Sequence, residues 1–377
     1  MAKHALLSAS SADRWLNCPP SARLCESYED KVSDYAAEGT DAHTLCEYKL
    51  KTALSMESEK PELKHYNEEM EECADGYVTY ILELLESAKK NCSDPQILIE
   101  QRLDFSKYVK DGFGTGDCVI ITDGTIHVID YKHGKGVLVE AQDNSQMWLY
   151  GLGVLLMFDD IYDITEVSMT IYQPRRDNIS TQTVSKEEIY QWVNEILMPA
   201  AELAFSGNGN YKCGEWCRFC KAKYECRQRA DHNLELAKYD FKKPLLLEDN
   251  DIERILEKID SLTAWAEDIK SYAFEMALKG KKWNGWKIVE SRSNRKFTDE
   301  EAVAKLAKSK GYNNIYKTKL IGVLDMEKLL GKEKFKKILS KFVVKPKGKP
   351  TLVPNSDKRS ALNISTAAED FAPAAAL

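Results

Sequence analysis

Short β-branched and apolar runs alternate with longer stretches in which apolar residues recur every three or four positions. PQILIEQRLDF reads as a strand, and the two runs of GTGDCVIITDGTIHVIDY flank an Asp-Gly pair, a strong local signal for a hairpin. VEAQDNSQMWLYGLGVLLMF then has helical periodicity, EVSMTIYQP is a further strand, and SKEEIYQWVNEILMPAAELAF is helical again. Upstream, SASSADRWLNCPPSARL begins a short amphipathic helix with Ser and Asp as cap candidates and Pro19 and Pro20 as its stop. AAEGTDAHTLCEYKLKTAL and YNEEMEECADGYVTYILELLESAKK predict two more helices. This order implies a mixed sheet flanked by helices, an α/β class.

Beyond residue 206 the texture changes. A cysteine-, aromatic- and base-rich segment, NGNYKCGEWCRFCKAKYECRQRA, closes a first domain expected over 1–232. A helical arm is expected over 233–282, a small α+β unit over 283–354, and a disordered tail over 355–377. No internal repeat is visible. A chain of 377 residues has ample length for a large core. Its longest apolar stretch, LYGLGVLLMF, is too short to span a bilayer, and its start lacks the apolar core of a signal peptide. A cytoplasmic protein with no membrane partner is expected. The net charge of −7 argues only weakly against a nucleic-acid partner, because a local basic patch matters more than the average. Lys345 to Lys349 lie in such a patch, FVVKPKGKP, which is expected to contact phosphates.

The hairpin raises the chemical question. A two-residue turn at Asp123-Gly124 pairs Thr122 with Thr125, and counting outward sets Asp117 opposite Asp130. Opposed residues have Cβ atoms roughly 4.5–5.5 Å apart, where like charges destabilise. Lys132 falls on the Asp130 face, about 7 Å along the strand. A divalent cation between the acids rationalises the arrangement, since Mg²⁺ is commonly held by one or two carboxylates. A solvated face with a harmless Lys–Asp diagonal is the plainer alternative.

Ten cysteines without a secretory signal point to thiols or metal ligands rather than a disulfide framework. Cys213, Cys217, Cys220 and Cys226 are clustered tightly enough to share a zinc ion or an iron–sulfur centre. Cys18, beside Pro19, is a ligand candidate from outside the cluster, with Cys213 then a bystander. His43 sits on a predicted helix behind Gly39, a glycine that suggests close approach to the backbone. Gln146 and Tyr150 share a helix face. Glu100, an acid in an edge strand, calls for no function.

Taken together these residues resemble the RecB-type nucleases of the PD-(D/E)XK superfamily, in particular the iron–sulfur branch that includes AddB and the CRISPR-associated exonucleases. The (D/E)XK element is Asp130-Tyr131-Lys132, preceded by Asp117, although Gly116 stands where the nominal motif has proline. The Gly-x-x-x-His element matches Gly39 to His43, and Gln-x-x-x-Tyr matches Gln146 to Tyr150. The split cysteine set matches Cys18 with Cys217, Cys220 and Cys226. The resemblance covers roughly the first 230 residues and suggests a phage or prophage protein carrying this core. It implies a restriction-endonuclease-like fold and phosphodiester hydrolysis in phage replication or recombination, as an exonuclease on single-stranded DNA or duplex ends. It further implies Mg²⁺ or Mn²⁺ held by His43, Asp117, Asp130 and the Tyr131 carbonyl, with Lys132 orienting the nucleophilic water. Gln146 and Tyr150 would brace the substrate strand or Lys132. A 4Fe-4S cluster, with Zn²⁺ as the alternative, would staple the N-terminal helix to the segment after the core. A helicase or single-strand-binding protein is a possible partner. The rival reading is a catalytically silent nuclease fold that binds DNA or protein around a structural metal cluster.

Overall fold

A five-stranded sheet with its strands in sequence order organises the molecule: β1 (Gln96–Asp104), β2 (Phe113–Ile121), β3 (Gly124–Tyr131), β4 (Ile164–Gln173) and β5 (Asn178–Ser185). All pairings are antiparallel except β3 with β4, and that parallel pair needs a crossover, which carries a helix. The computed structural model describes residues 5–29, 33–235, 248–289, 299–310, 315–316 and 322–343. The chain divides into two compact units, 1–289 and 290–377.

The hairpin register is the one counted from the sequence. The Thr122 N–H donates to the Thr125 carbonyl at 3.0 Å, and Ile121 pairs with Ile126. Gly124 takes a φ of 89°, which glycine reaches without the clash a Cβ would cause. The β2–β3 ladder ends at Cys118–Ile129. Beyond it, β2 continues beside β1, and β3 continues beside β4 through Asp130–Ile171 and Tyr131–Tyr172. The two strands therefore part where Asp117 and Asp130 face each other.

Helices cover both faces. Before the sheet come α1 (Ala12–Asn17), α2 (Ser21–Glu26), α3 (Asp34–Ala53) and α4 (Glu68–Asn91). The latter two pack Leu45, Leu50, Tyr77 and Ile81 against Cys118, Ile120, Ile129 and Tyr131. The crossover helix α5 (Ser145–Phe158) packs Leu149, Leu152 and Leu155 against Val119, Ile121, Ile126 and Val128 on the other face. Each such buried side chain contributes about 1.5–3 kcal/mol. Close approach is enforced by glycine, because a Cβ at Gly153 would lie 2.8 Å from the Leu103 side chain. The helix starts later than its periodicity suggests. Asn144 caps it by accepting from the Gln146 and Met147 N–H groups, and the preceding VEAQD is irregular.

The edge strand β5 was not legible as a strand. NISTQTVS is polar, and it is ordered by pairing to β4, including a Thr170–Thr181 hydroxyl bond of 2.9 Å. Next come α6 (Lys186–Trp192), opened by a Ser185/Glu188 capping box, and α7 (Met198–Ser206), with a π-helical turn at Val193–Leu197 between them. The cysteine segment leads into α8 (Arg227–Leu234) and the long α9 (Asp249–Leu278). The arm expected over 233–282 belongs to the first unit. Asp268 of α9 pairs with Arg229 of α8 at 2.6 Å and with Lys223 at 2.7 Å, and Tyr272 stacks on Tyr224 at 4.4 Å. In the second unit the described elements include α10 (Glu300–Ser309), α11 (Val323–Leu330) and α12 (Lys332–Leu339). Lys345 to Lys349 and the tail expected over 355–377 lie outside the described residues. No helix among the described residues is long and apolar enough to cross a membrane.

Candidate functional site

The fork between β2 and β3 gathers polar groups that a continued ladder would have excluded. Asp117 accepts a hydrogen bond from the Tyr131 N–H at 2.7 Å, satisfying a donor that β2 no longer pairs. Its other carboxylate oxygen lies 3.2 Å from Nδ1 of His43, which α3 brings to the fork. Asp130 is 2 % exposed. Its Oδ1 accepts from Gln146 Nε2 at 3.2 Å, and its Oδ2 lies 2.6 Å from Lys132 Nζ. That second oxygen is buried and, among the described residues, has the ion pair but no well-directed hydrogen bond. Gln146 also accepts from Lys132 Nζ at 3.2 Å and donates to the Tyr150 hydroxyl at 2.9 Å. The helix face shared by Gln146 and Tyr150 thus braces the Asp130–Lys132 pair.

Glu100 completes the site, although the sequence reading dismissed it. One nitrogen of His43 and one carboxylate oxygen each of Glu100 and Asp117 lie within 4.8 Å of one another. The β1–β2 register is the same on both sides of Glu100, with Ile99 opposite Cys118 and Gln101 opposite Gly116, yet Glu100 has a φ of 50°. Leu98 and Leu103 both pack into the α5-side core although they are five positions apart. A strictly alternating strand would put them on opposite faces. The left-handed residue between them resets the alternation. A glutamate in an unfavourable left-handed conformation is a local strain that often marks function. The sequence held one hint, a charge interrupting the apolar run ILIEQRL.

The electrostatics suit a cation. Burial, reinforced by the Asp117 charge, pushes the Glu100 carboxyl up to about 7. Burial likewise raises Asp130, with the Asp117 charge adding to it against the opposing effect of Lys132. For Asp117 the burial penalty is outweighed by His43 and Lys132, leaving its pKa lowered. Burial works against the charged forms of His43 and Lys132 as well, yet the facing carboxylates hold both pKa values up. Two carboxylates and an imidazole, with a further buried carboxylate oxygen short of a hydrogen-bond donor, fit a divalent cation of the Mg²⁺ or Mn²⁺ type. Of the predicted ligands His43, Asp117, Asp130 and the Tyr131 carbonyl, His43 and Asp117 stand together with Glu100, and Asp130 pairs with Lys132. Gly39 lies within α3, and no described residue comes within 4 Å of where a Cβ would stand.

A second locus brings the cysteines together. Cys18, at the end of α1, lines one small cavity with Cys213, Cys217, Cys220 and Cys226, beside Arg14 and Arg229. The cavity has a volume of about 20 Å³. The sulfurs are paired, Cys213 with Cys217 at 3.9 Å and Cys220 with Cys25 of α2 at 3.7 Å. Among the described residues no three cysteine sulfurs lie mutually within 4.8 Å, whereas sulfurs around one tetrahedral zinc are about 3.8 Å apart. The thiol–thiol contact with Cys213 lowers Cys217 to about 6, and that with Cys220 lowers Cys25 to about 5. Cys25 had no place in the sequence-based ligand set.

The chain belongs to the family described as "Protein of unknown function (DUF2800)", whose model matches residues 4–360. A solved chain described as "Crystal structure of SSO0001" is similar at 17% identity, covering 49% of this chain and 95% of that one, with a TM-score of 0.22.

Proposed function

We propose that the protein is a metal-dependent DNA nuclease, an exonuclease hydrolysing phosphodiester bonds in phage replication or recombination, within the cytoplasm of a bacterial host. One observation carries the reading: a His43–Glu100–Asp117 triad of ligand atoms within 4.8 Å, beside the ion pair of Lys132 with the buried Asp130. When bound, Mg²⁺ or Mn²⁺ supplies Lewis-acid polarisation of a phosphodiester and eases ionisation of water. The chain's own contribution is positional and electrostatic. Lys132, tethered by Asp130 and Gln146, places an ammonium where negative charge develops on phosphorus oxygens. His43, Glu100 and Asp117 bind the cation, and Tyr150 holds Gln146 in place. The cysteine locus serves as a staple between the N-terminal helices and α8. A 4Fe-4S cluster is our preferred occupant, with Zn²⁺ as the second reading. DNA is the partner, with a helicase or single-strand-binding protein as a further candidate.

The test is degradation of end-labelled single- and double-stranded DNA with Mn²⁺. Cleavage by the wild type that disappears in Asp130→Ala and Lys132→Ala supports the enzyme. DNA binding without metal-dependent cleavage supports the alternative, a silent nuclease-fold module. A brown sample containing iron and sulfide supports the cluster, and a colourless one containing zinc supports the second reading.

A further inference from the structure

Tyr131 stands between Asp130 and Lys132, and nothing in the proposed reaction uses its side chain. It is fully buried on the α3–α4 side of the sheet, away from the Asp130–Lys132 pair. We propose that Tyr131 is a positioning residue that holds His43 and Asp117 together as parts of one cation site, with His133 and Glu38 anchoring its hydroxyl. The inference rests on reading the fork as a divalent-cation site.

The residue reaches both ligands. Its backbone N–H fixes Asp117 at 2.7 Å. Its ring meets the His43 ring edge-on, with centroids 5.4 Å apart and an interplanar angle of 90°, which restricts rotation of the imidazole. The hydroxyl lies 2.9 Å from Nδ1 of His133, a residue only 4 % exposed. If the phenol donates there, His133 Nε2 carries a hydrogen. That nitrogen is buried without a hydrogen bond, 3.5 Å from Glu38 Oε1. Glu38 is held in turn by Arg175 at 3.0 Å.

Glu38 and His43 are both on α3, separated by little more than one turn. Tyr131 therefore engages the helix at two heights, through its ring and through His133. Two such contacts fix both the rotation and the translation of α3 relative to β3, which a single contact would leave free. The Tyr77 and Tyr172 rings close the remaining sides at centroid distances of 5.3 and 6.3 Å. Partners behind metal ligands commonly carry 10–100-fold in metal affinity, because they set ligand orientation.

The experiment titrates the full chain with Mn²⁺ alone, followed by electron paramagnetic resonance, including the hyperfine coupling to imidazole nitrogen. Tyr131→Phe keeps the ring and the backbone N–H, and is expected to weaken Mn²⁺ about tenfold and reduce the imidazole coupling. Tyr131→Leu removes the ring too and is expected to weaken it about a hundredfold. His133→Gln, which retains a donor and an acceptor, should bind more tightly than His133→Ala. Wild-type Mn²⁺ affinity and coupling in folded Tyr131→Phe would overturn the proposal, even if the leucine variant failed to fold. Because no DNA is present, a chain that binds Mn²⁺ through His43 yet cuts nothing refutes the nuclease reading and leaves this one to stand on Tyr131→Phe.

Discussion

The fork and the cysteine locus both collect potential metal ligands from distant parts of the chain, but by different means. At the fork, Asp117, Asp130 and Lys132 are placed by strand register, and the ladder's end opens the space between them. Three ligand atoms already stand within 4.8 Å. At the cysteine locus the thiols come from the end of α1, from α2 and from a segment of short turns, and they contact one another in pairs. Its surroundings hold it through side chains: Glu225 accepts from the hydroxyls of Tyr28 and Tyr272, and Asp268 pairs with Lys223 and Arg229. A sheet fixes ligand spacing before any ion arrives. A loop segment leaves spacing to be completed by what binds.

The sharpest way to break that contrast is to remove one charge from the fork. Asp117→Asn keeps an oxygen to accept from the Tyr131 N–H and so preserves the local fold, but it removes the central carboxylate. Calorimetric titration with Mn²⁺ is expected to show more than the 10–100-fold loss typical of residues behind a ligand. DNA cleavage should fall by about 10²–10⁴-fold. An affinity within a few-fold of wild type would show that the fork is merely a compensated ion-pair network.

The complementary break is Cys220→Ser. If the locus holds a metal, the variant should lose it by elemental analysis and have a lower thermal midpoint, because metal binding there would be coupled to the docking of α1 and α2. No residue serves both loci, so Mn²⁺ affinity at the fork should stay within about twofold, the range expected for independent sites. A larger change would mean that the staple sets the fork's geometry.

The same contrast explains what could be read from the chain. Asp-Gly at 123–124 fixes the hairpin, and simple counting then places Asp117 opposite Asp130, because a ladder propagates its register. Gln146 and Tyr150 were legible as a pair from helical spacing. Glu100 was not, because its contribution depends on a left-handed backbone conformation that no residue type announces. Cys25 was missed because its nearness to Cys220 arises from helix docking across 195 residues of sequence. The strand β5 is polar and exists by virtue of its partner β4.

Glu100 also sharpens the comparison through pH. Its carboxyl is raised from 4.5 to about 7, so between those values the folded protein retains a proton that the unfolded chain has released. Stability of the metal-free protein should therefore be greatest below pH 4.5 as far as this group is concerned, and fall as pH rises toward 7. With solvent screening the loss is about 1–2 kcal/mol. Glu100→Gln should remove that slope in denaturant titrations. Mn²⁺ affinity should run the other way, rising severalfold through pH 7 as the ligand ionises, and should be flatter in Glu100→Gln. A parallel pH dependence in both proteins would exclude Glu100 from the site.

The smallest expected effects lie behind the Asp130–Lys132 pair. Gln146→Ala removes the donor to Asp130 Oδ1 and the acceptor for Lys132 Nζ, leaving a buried carboxylate with an unmet oxygen at a cost of about 1–3 kcal/mol. Tyr150→Phe removes only a hydroxyl that Gln146 donates to, a loss of about 0.5–1.5 kcal/mol. If register alone defined the fork, both variants would cleave like wild type. If the α5 face holds Lys132 in position, Gln146→Ala should lower kcat about tenfold or more and Tyr150→Phe about threefold, with Mn²⁺ affinity unchanged in both. The split between kcat and metal affinity would separate the two halves of the fork: the triad proposed to bind the ion, and the lysine proposed to act on the phosphate.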